Sequence, residues 1–129
     1  MKYQDFLGEV HVKAHLATLE EAVSATRAAL SVLAQRLTEG QRTDLAAQLP
    51  EEIGAYLTVE GESERFDLNE YYQQVSEAEG VDLPDAVHHS QAVMAVVQEA
   101  VTRGEMEDAL SQLPDEFAPL FAGETLKGD

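Results

Sequence analysis

The chain has 129 residues, 44 % of them hydrophobic, enough for one domain that packs a core without metal or disulfide. It contains no cysteine, which excludes disulfides, thiol catalysis, thiolate zinc sites and iron–sulfur clusters. Twenty-five acidic residues against eight basic ones leave a formal charge of −17, a surface that repels nucleic-acid backbones and anionic membranes.

Tyr3, Phe6, Leu7, Val10 and Ala14 recur at spacings of three and four and predict a first amphipathic helix. Thr18-Leu19-Glu20-Glu21 fits a capping box, in which a hydroxyl and a carboxylate each bind the other residue's amide. The helix it opens is expected to run from Leu19 to about Leu37, with Ala22, Val23, Thr26, Ala29, Leu30 and Leu33 inward. Gly40, cheap at positive φ, is read as its stop. A short helix follows through Asp44, Leu45 and Gln48, and Pro50 then breaks it and begins another. Residues 58–66 read as a polar linker.

The second half repeats these signals. Asp67 with Glu70 caps a helix through Tyr71, Tyr72, Val75 and Ala78 that ends at Gly80. Asp82 caps the next, with Pro84 in its first turn, Val87, Ser90, Val93, Met94 and Val97 inward, and Gly104 as its stop. Met106 to Leu113 and Pro114 to Phe121 complete the half, and residues 122–129 read as a frayed tail.

Residues 18–57 placed over 82–121, at a constant offset of 64, match identically at 12 of 40 positions. AQLPEEIGAYL at 47–57 thus returns as SQLPDEFAPLF at 111–121. Upstream an offset of 65 brings Asp5-Phe6-Leu7 over Glu70-Tyr71-Tyr72. The expectation is a tandem duplication, with units 3–57 and 67–121. A unit of a few amphipathic helices cannot cover its own apolar face. Two units can cover each other, so the predicted fold is a single all-α bundle with pseudo-twofold symmetry. The Gln-Leu-Pro phrase is read as a corner, whose proline ends one helix and whose acids sit on the positive end of the next.

Few residues stand out for chemistry. His11 and His15, four apart on a predicted helix, form a candidate metal pair, although the second unit has Ser76 and Gly80 in the matching places. His88 and His89 are adjacent and point about 100° apart; His88 is expected to face solvent and His89 to lie on the helix flank. Thr26 and Ser90 hold the same inward position of the two long helices. Each is expected to bond the carbonyl four residues back, or to line a small ligand cleft near the pseudo-axis. The arginines at 27, 36, 42, 65 and 103 are read as counterions for nearby acids. No phosphate loop, nucleophile elbow or Ser/His/Asp spacing is present, so no catalytic residue and no cofactor is predicted.

These features resemble domain-of-unknown-function family 2267, small bacterial and archaeal proteins with an internal duplication. The likeness rests on Tyr3-x-x-Phe6-Leu7, on Glu21-Ala22-x-x-Ala25-Thr26-Arg27-Ala28-x-Leu30, and on Arg36-Leu37-x-x-Gly40-x-x-x-Asp44-Leu45-x-x-Gln48-Leu49-Pro50. The second copy follows in Gly104-x-x-x-Asp108-x-x-x-Gln112-Leu113-Pro114. The resemblance implies an all-helical cytoplasmic protein and brings no catalytic or binding positions with it.

The start Lys2-Tyr3-Gln4 has no signal-peptide core and no apolar run approaches the roughly 20 residues of a membrane span, so a cytoplasmic location is expected. The functional expectation is a non-enzymatic protein-interaction or stress and salt-adaptation module, engaging a protein partner or forming a homodimer. Two alternatives stand beside it: a small-ligand or metal-binding protein using Thr26 and Ser90 or His11 and His15, and a DNA mimic that binds a basic protein.

Overall fold

Helix starts in this chain are written by side chains that complete the orphan amides of the first turn. A computed structural model describes residues 1–127, with side chains through residue 122. The Thr18 hydroxyl accepts from the Glu21 amide at 3.1 Å, and the Glu21 carboxylate accepts from the Ala17 and Thr18 amides at 2.8 and 3.3 Å. Asp67 and Glu70 form the same box at 2.8 and 2.9 Å, and Asp82 accepts from the Asp85 amide at 3.3 Å. These are the caps the sequence predicts.

All described secondary structure is helical. Helices α1 (Tyr3–Lys13), α2 (Leu19–Arg36), α3 (Glu39–Ala47) and α4 (Glu51–Gly54) form the first half, α4 running on into a 3₁₀ turn at Ala55–Leu57. Helices α5 (Leu68–Glu79), α6 (Leu83–Ala100) and α7 (Arg103–Leu110) follow, and a 3₁₀ turn at Asp115–Phe117 leads into α8 (Ala118–Lys127). Among the described residues no helix is long and apolar enough to cross a membrane.

The two 18-residue helices, α2 and α6, touch each other at the centre of the bundle. Helix α1 packs against both of them, and so does α5. Helix α8 closes over α6, the Ala55–Leu57 turn closes over α2, and α3 meets α7. Phe6, Leu30, Tyr71, Met94 and Phe117 lie fully inside the resulting core. Burying one such side chain contributes about 1.5–3 kcal/mol, so the core is the main source of stability.

Several expectations are corrected. Gly40 and Gly104 do not stop the long helices. Helix α2 ends at Arg36 and α6 at Ala100, where Leu37 and Val101 turn extended; both glycines lie inside the helices that follow. The repeated Thr-x-Gly is instead a start signal. Thr38 caps α3 by accepting from the Gln41 amide, and Thr102 caps α7 by accepting from the Glu105 amide. Gly80, by contrast, does end α5 in a left-handed conformation at φ +78°. Helix α8 extends to Lys127; residues 128 and 129, the end of the expected tail 122–129, lie outside the described residues.

Two arginines also differ from their reading as counterions. Arg42 is buried and donates to three carbonyls, those of Ala34 at 2.6 Å, Val59 at 3.1 Å and Gly61 at 2.9 Å. Arg36 donates to the Phe66 carbonyl at 2.9 Å while its guanidinium lies 5.8 and 5.5 Å from the Phe66 and Phe117 ring centres. With the Glu64 amide bonded to the Gln35 carbonyl at 2.7 Å, these contacts fasten the segment between the halves to α2 and α3. A carbonyl buried without a donor is costly, and one cation satisfies several here.

The Gln-Leu-Pro corner has a further use. The Gln48 side chain reaches across to accept from the Thr102 amide at 2.8 Å, at the start of α7. Leu49 is buried, and Pro50 stands at the cap position of α4, one residue before the first turn.

Candidate functional site: a histidine–carboxylate cleft

Both halves place the turn after their first helix at one end of the bundle, where they wall a cleft of about 880 Å³. The α1–α2 turn contributes Ala14, His15, Leu16, Ala17 and Thr18, and α2 adds Glu20, Glu21 and Ser24. From the other half come Glu79 and Val81 at the α5–α6 turn, with Asp85, His88 and His89 on α6.

The two turns are built alike. In the first, the Leu16 amide bonds the His11 carbonyl at 3.1 Å; in the second, the Val81 amide bonds the Ser76 carbonyl at 3.2 Å. This six-to-one bond marks a helix end whose penultimate residue is left-handed, a place glycine fills without steric cost. Gly80 holds it in the second turn, but in the first it is His15, at φ +55°. His15 is the sole non-glycine residue with positive φ among the described residues. A side chain there costs about 1–2 kcal/mol. The imidazole so placed stacks on His88, with ring centres 5.6 Å apart and planes within 5° of parallel.

This geometry divides the sequence's histidine pair. Helix α1 stops at Lys13, so His15 leaves the helix that carries His11 and turns toward α6. His11 is absent from the cleft wall, and no group of three or more His, Cys, Asp or Glu side chains among the described residues is arranged to hold a metal ion. His88 and His89, expected to diverge, both line the cleft, with ring centres 6.1 Å apart.

At the inner wall His89 is buried and its Nδ1 lies 2.6 Å from Glu79 Oε2. The Glu79 side chain is 4 % exposed, and its second oxygen, Oε1, is buried with no hydrogen-bond partner. Burial pushes the Glu79 carboxyl above the usual carboxylate range. His89 opposes that rise through its hydrogen bond and charge, while the nearby Asp85 and Glu21 carboxylates add to it. Glu79 is the residue that sequence reasoning missed. The available signal was the alignment of His15 with Gly80, which places the residue before Gly80 beside the same turn.

Thr26 and Ser90 are both fully buried and neither lines this cleft. Neither hydroxyl forms the expected bond to the carbonyl four residues back, and Thr26 Oγ1 has no partner. Ser90 lies beside the Tyr71 phenol, whose hydroxyl donates to the Ala29 carbonyl at 2.8 Å and whose burial raises its pKa.

The profile of an uncharacterized conserved protein family, DUF2267, matches residues 3–120. The chain belongs to the DUF2267 family. The match spans both halves and all of the cleft wall, so the site is built entirely from the DUF2267 region. A comparison with curated proteins gives no match.

Proposed function

We propose that this DUF2267 protein is a non-enzymatic binding module whose working face is the histidine–carboxylate cleft. The reading is carried by Glu79: a buried carboxylate oxygen without a donor, on the wall of an open cleft, is costly unless a ligand completes it. The strained His15 adds to this, because unfavourable backbone conformations collect where a side chain must be aimed. We further propose that the two halves are copies of one unit. Exchanging them maps α1–α2 contacts onto α5–α6 contacts and α2–α5 onto α6–α1. The cleft then lies where two equivalent turns meet, and the differences between copies, His15 for Gly80 foremost, are where function was added.

The test is a ligand-observed NMR screen of a library spanning amines, amino acids, sugars, nucleotides and carboxylic acids. Wild type is compared with Ser24→Trp, which fills the cleft from α2. The reading predicts at least one ligand that binds wild type and is lost in Ser24→Trp. A screen whose binders all ignore that substitution argues for a different face.

A further inference from the structure

Resting on the reading of the cleft as a binding site, we propose that its occupant is a small organic cation, an alkylammonium or guanidinium group, held by the free oxygen of Glu79. The wall carries four carboxylates, Glu20, Glu21, Glu79 and Asp85, and neither a lysine nor an arginine. A concave site lined by one sign of charge concentrates ions of the other. The carboxylates are not equivalent. Glu21 is spent on the Ala17 and Thr18 amides, and Glu79 Oε2 on His89, which leaves Glu79 Oε1 as the buried acceptor with capacity to spare. An N–H from a cationic nitrogen meets both its needs, a hydrogen bond and a compensating charge, in one contact.

The remaining wall favours an organic cation over a metal ion. A metal needs several donor atoms converging on one point, and the described residues supply no such group. The His15 and His88 rings lie nearly parallel, with centres 5.6 Å apart. The apolar Ala14, Leu16, Ala17 and Val81 suit a methylene chain. The space, about 880 Å³, holds a molecule rather than an ion. A chain of a few methylenes with a charge at each end would place one cationic group on Glu79 and leave the other near Asp85 or Glu20.

Calorimetry with agmatine at about 150 mM salt tests this, because agmatine carries one guanidinium and one ammonium. The expected result is one saturable site, weakened about tenfold or more in Glu79→Gln. Glu116→Gln, an exposed acid outside the cleft wall, should leave it unchanged. Asp85→Asn, weakening binding to a smaller degree, serves if Glu79→Gln does not fold. Parallel titrations use spermidine, an arginine-rich peptide, glutamate and zinc chloride. A peptide that binds more tightly than agmatine, with the same Glu79 dependence, supports the cationic chemistry and assigns its source to a basic protein. Agmatine binding that is multiple, unsaturable and indifferent to Glu79→Gln overturns the proposal, since it reports only the diffuse acidic surface. Saturable binding confined to glutamate, or to zinc, also overturns it, and leaves the cleft standing as the site where Ser24→Trp abolishes that binding. The cleft itself falls only if no ligand of any class is sensitive to Ser24→Trp.

Discussion

His15 offers a test in which stability and function separate. Replacing it with glycine relieves a left-handed side chain, worth about 1–2 kcal/mol, but frees the unfolded chain, which returns about 0.5–1 kcal/mol. It also removes the stack on His88, about 0.5 kcal/mol for an exposed ring pair at the low end of aromatic contacts. In the intact protein these effects nearly cancel. The cycle of His15→Gly, His88→Ala and the double variant separates them. With His88 already removed, His15→Gly should stabilise by about 0.5–1 kcal/mol, a rise of about 2–4 °C in Tm for a chain of this size. In the presence of His88 it should stabilise less, and the difference is the coupling between the rings. Urea denaturation followed by far-UV circular dichroism gives both numbers. If His15→Gly destabilises even in the His88→Ala background, the left-handed strain is not there, and the argument that the imidazole is held in place at a cost fails.

Arg42→Met substitutes the residue that the second half carries at the matching position, Met106; by stranding the carbonyls of Ala34, Val59 and Gly61 it should destabilise by about 2–4 kcal/mol and speed proteolysis near Gly61, as read by denaturation and limited digestion. Thr26→Val removes a buried hydroxyl without a partner and should raise stability by about 1 kcal/mol; a loss of that size would mean the hydroxyl has a role the geometry does not show. Glu79 titrates higher in the folded state than in the unfolded one, so the folded state binds its proton more tightly, and rising pH removes that advantage across the window from the unfolded value near 4.3 up to the raised folded one. Wild type should therefore lose stability relative to Glu79→Gln as pH rises through this window, and an unchanged difference in urea midpoints would refute the burial of that carboxylate.

How far the letters carried the reading follows from which interactions are local. Capping boxes are contained within four residues, so Thr18 with Glu21 and Asp67 with Glu70 were legible at once. Inward faces were legible because helical period fixes them, as the burial of Leu30, Leu33, Val93 and Val97 shows. Gly40 misled because glycine after a long helix has two readings, and Thr38, two residues earlier, decides for a start over a stop. Arg42 was opaque for a different reason: its acceptors are backbone carbonyls up to 19 residues away, and a carbonyl has no letter. The cleft depends on still longer distances, since the two turns that form it are separated by the whole first half. The histidines are visible singly, but the spacing assigns His15 to a helix that ends two residues before it, and Glu79 is one acid among twenty-five.

The measurement that bears most directly on this account follows the four histidine rings by ¹H–¹³C NMR as agmatine is added. The rings of His15, His88 and His89 should shift together along one saturation curve, while His11, on α1 and outside the cleft wall, stays still. Uniform movement of all four, or none at the three, would contradict a cation-binding cleft at the meeting of the two turns.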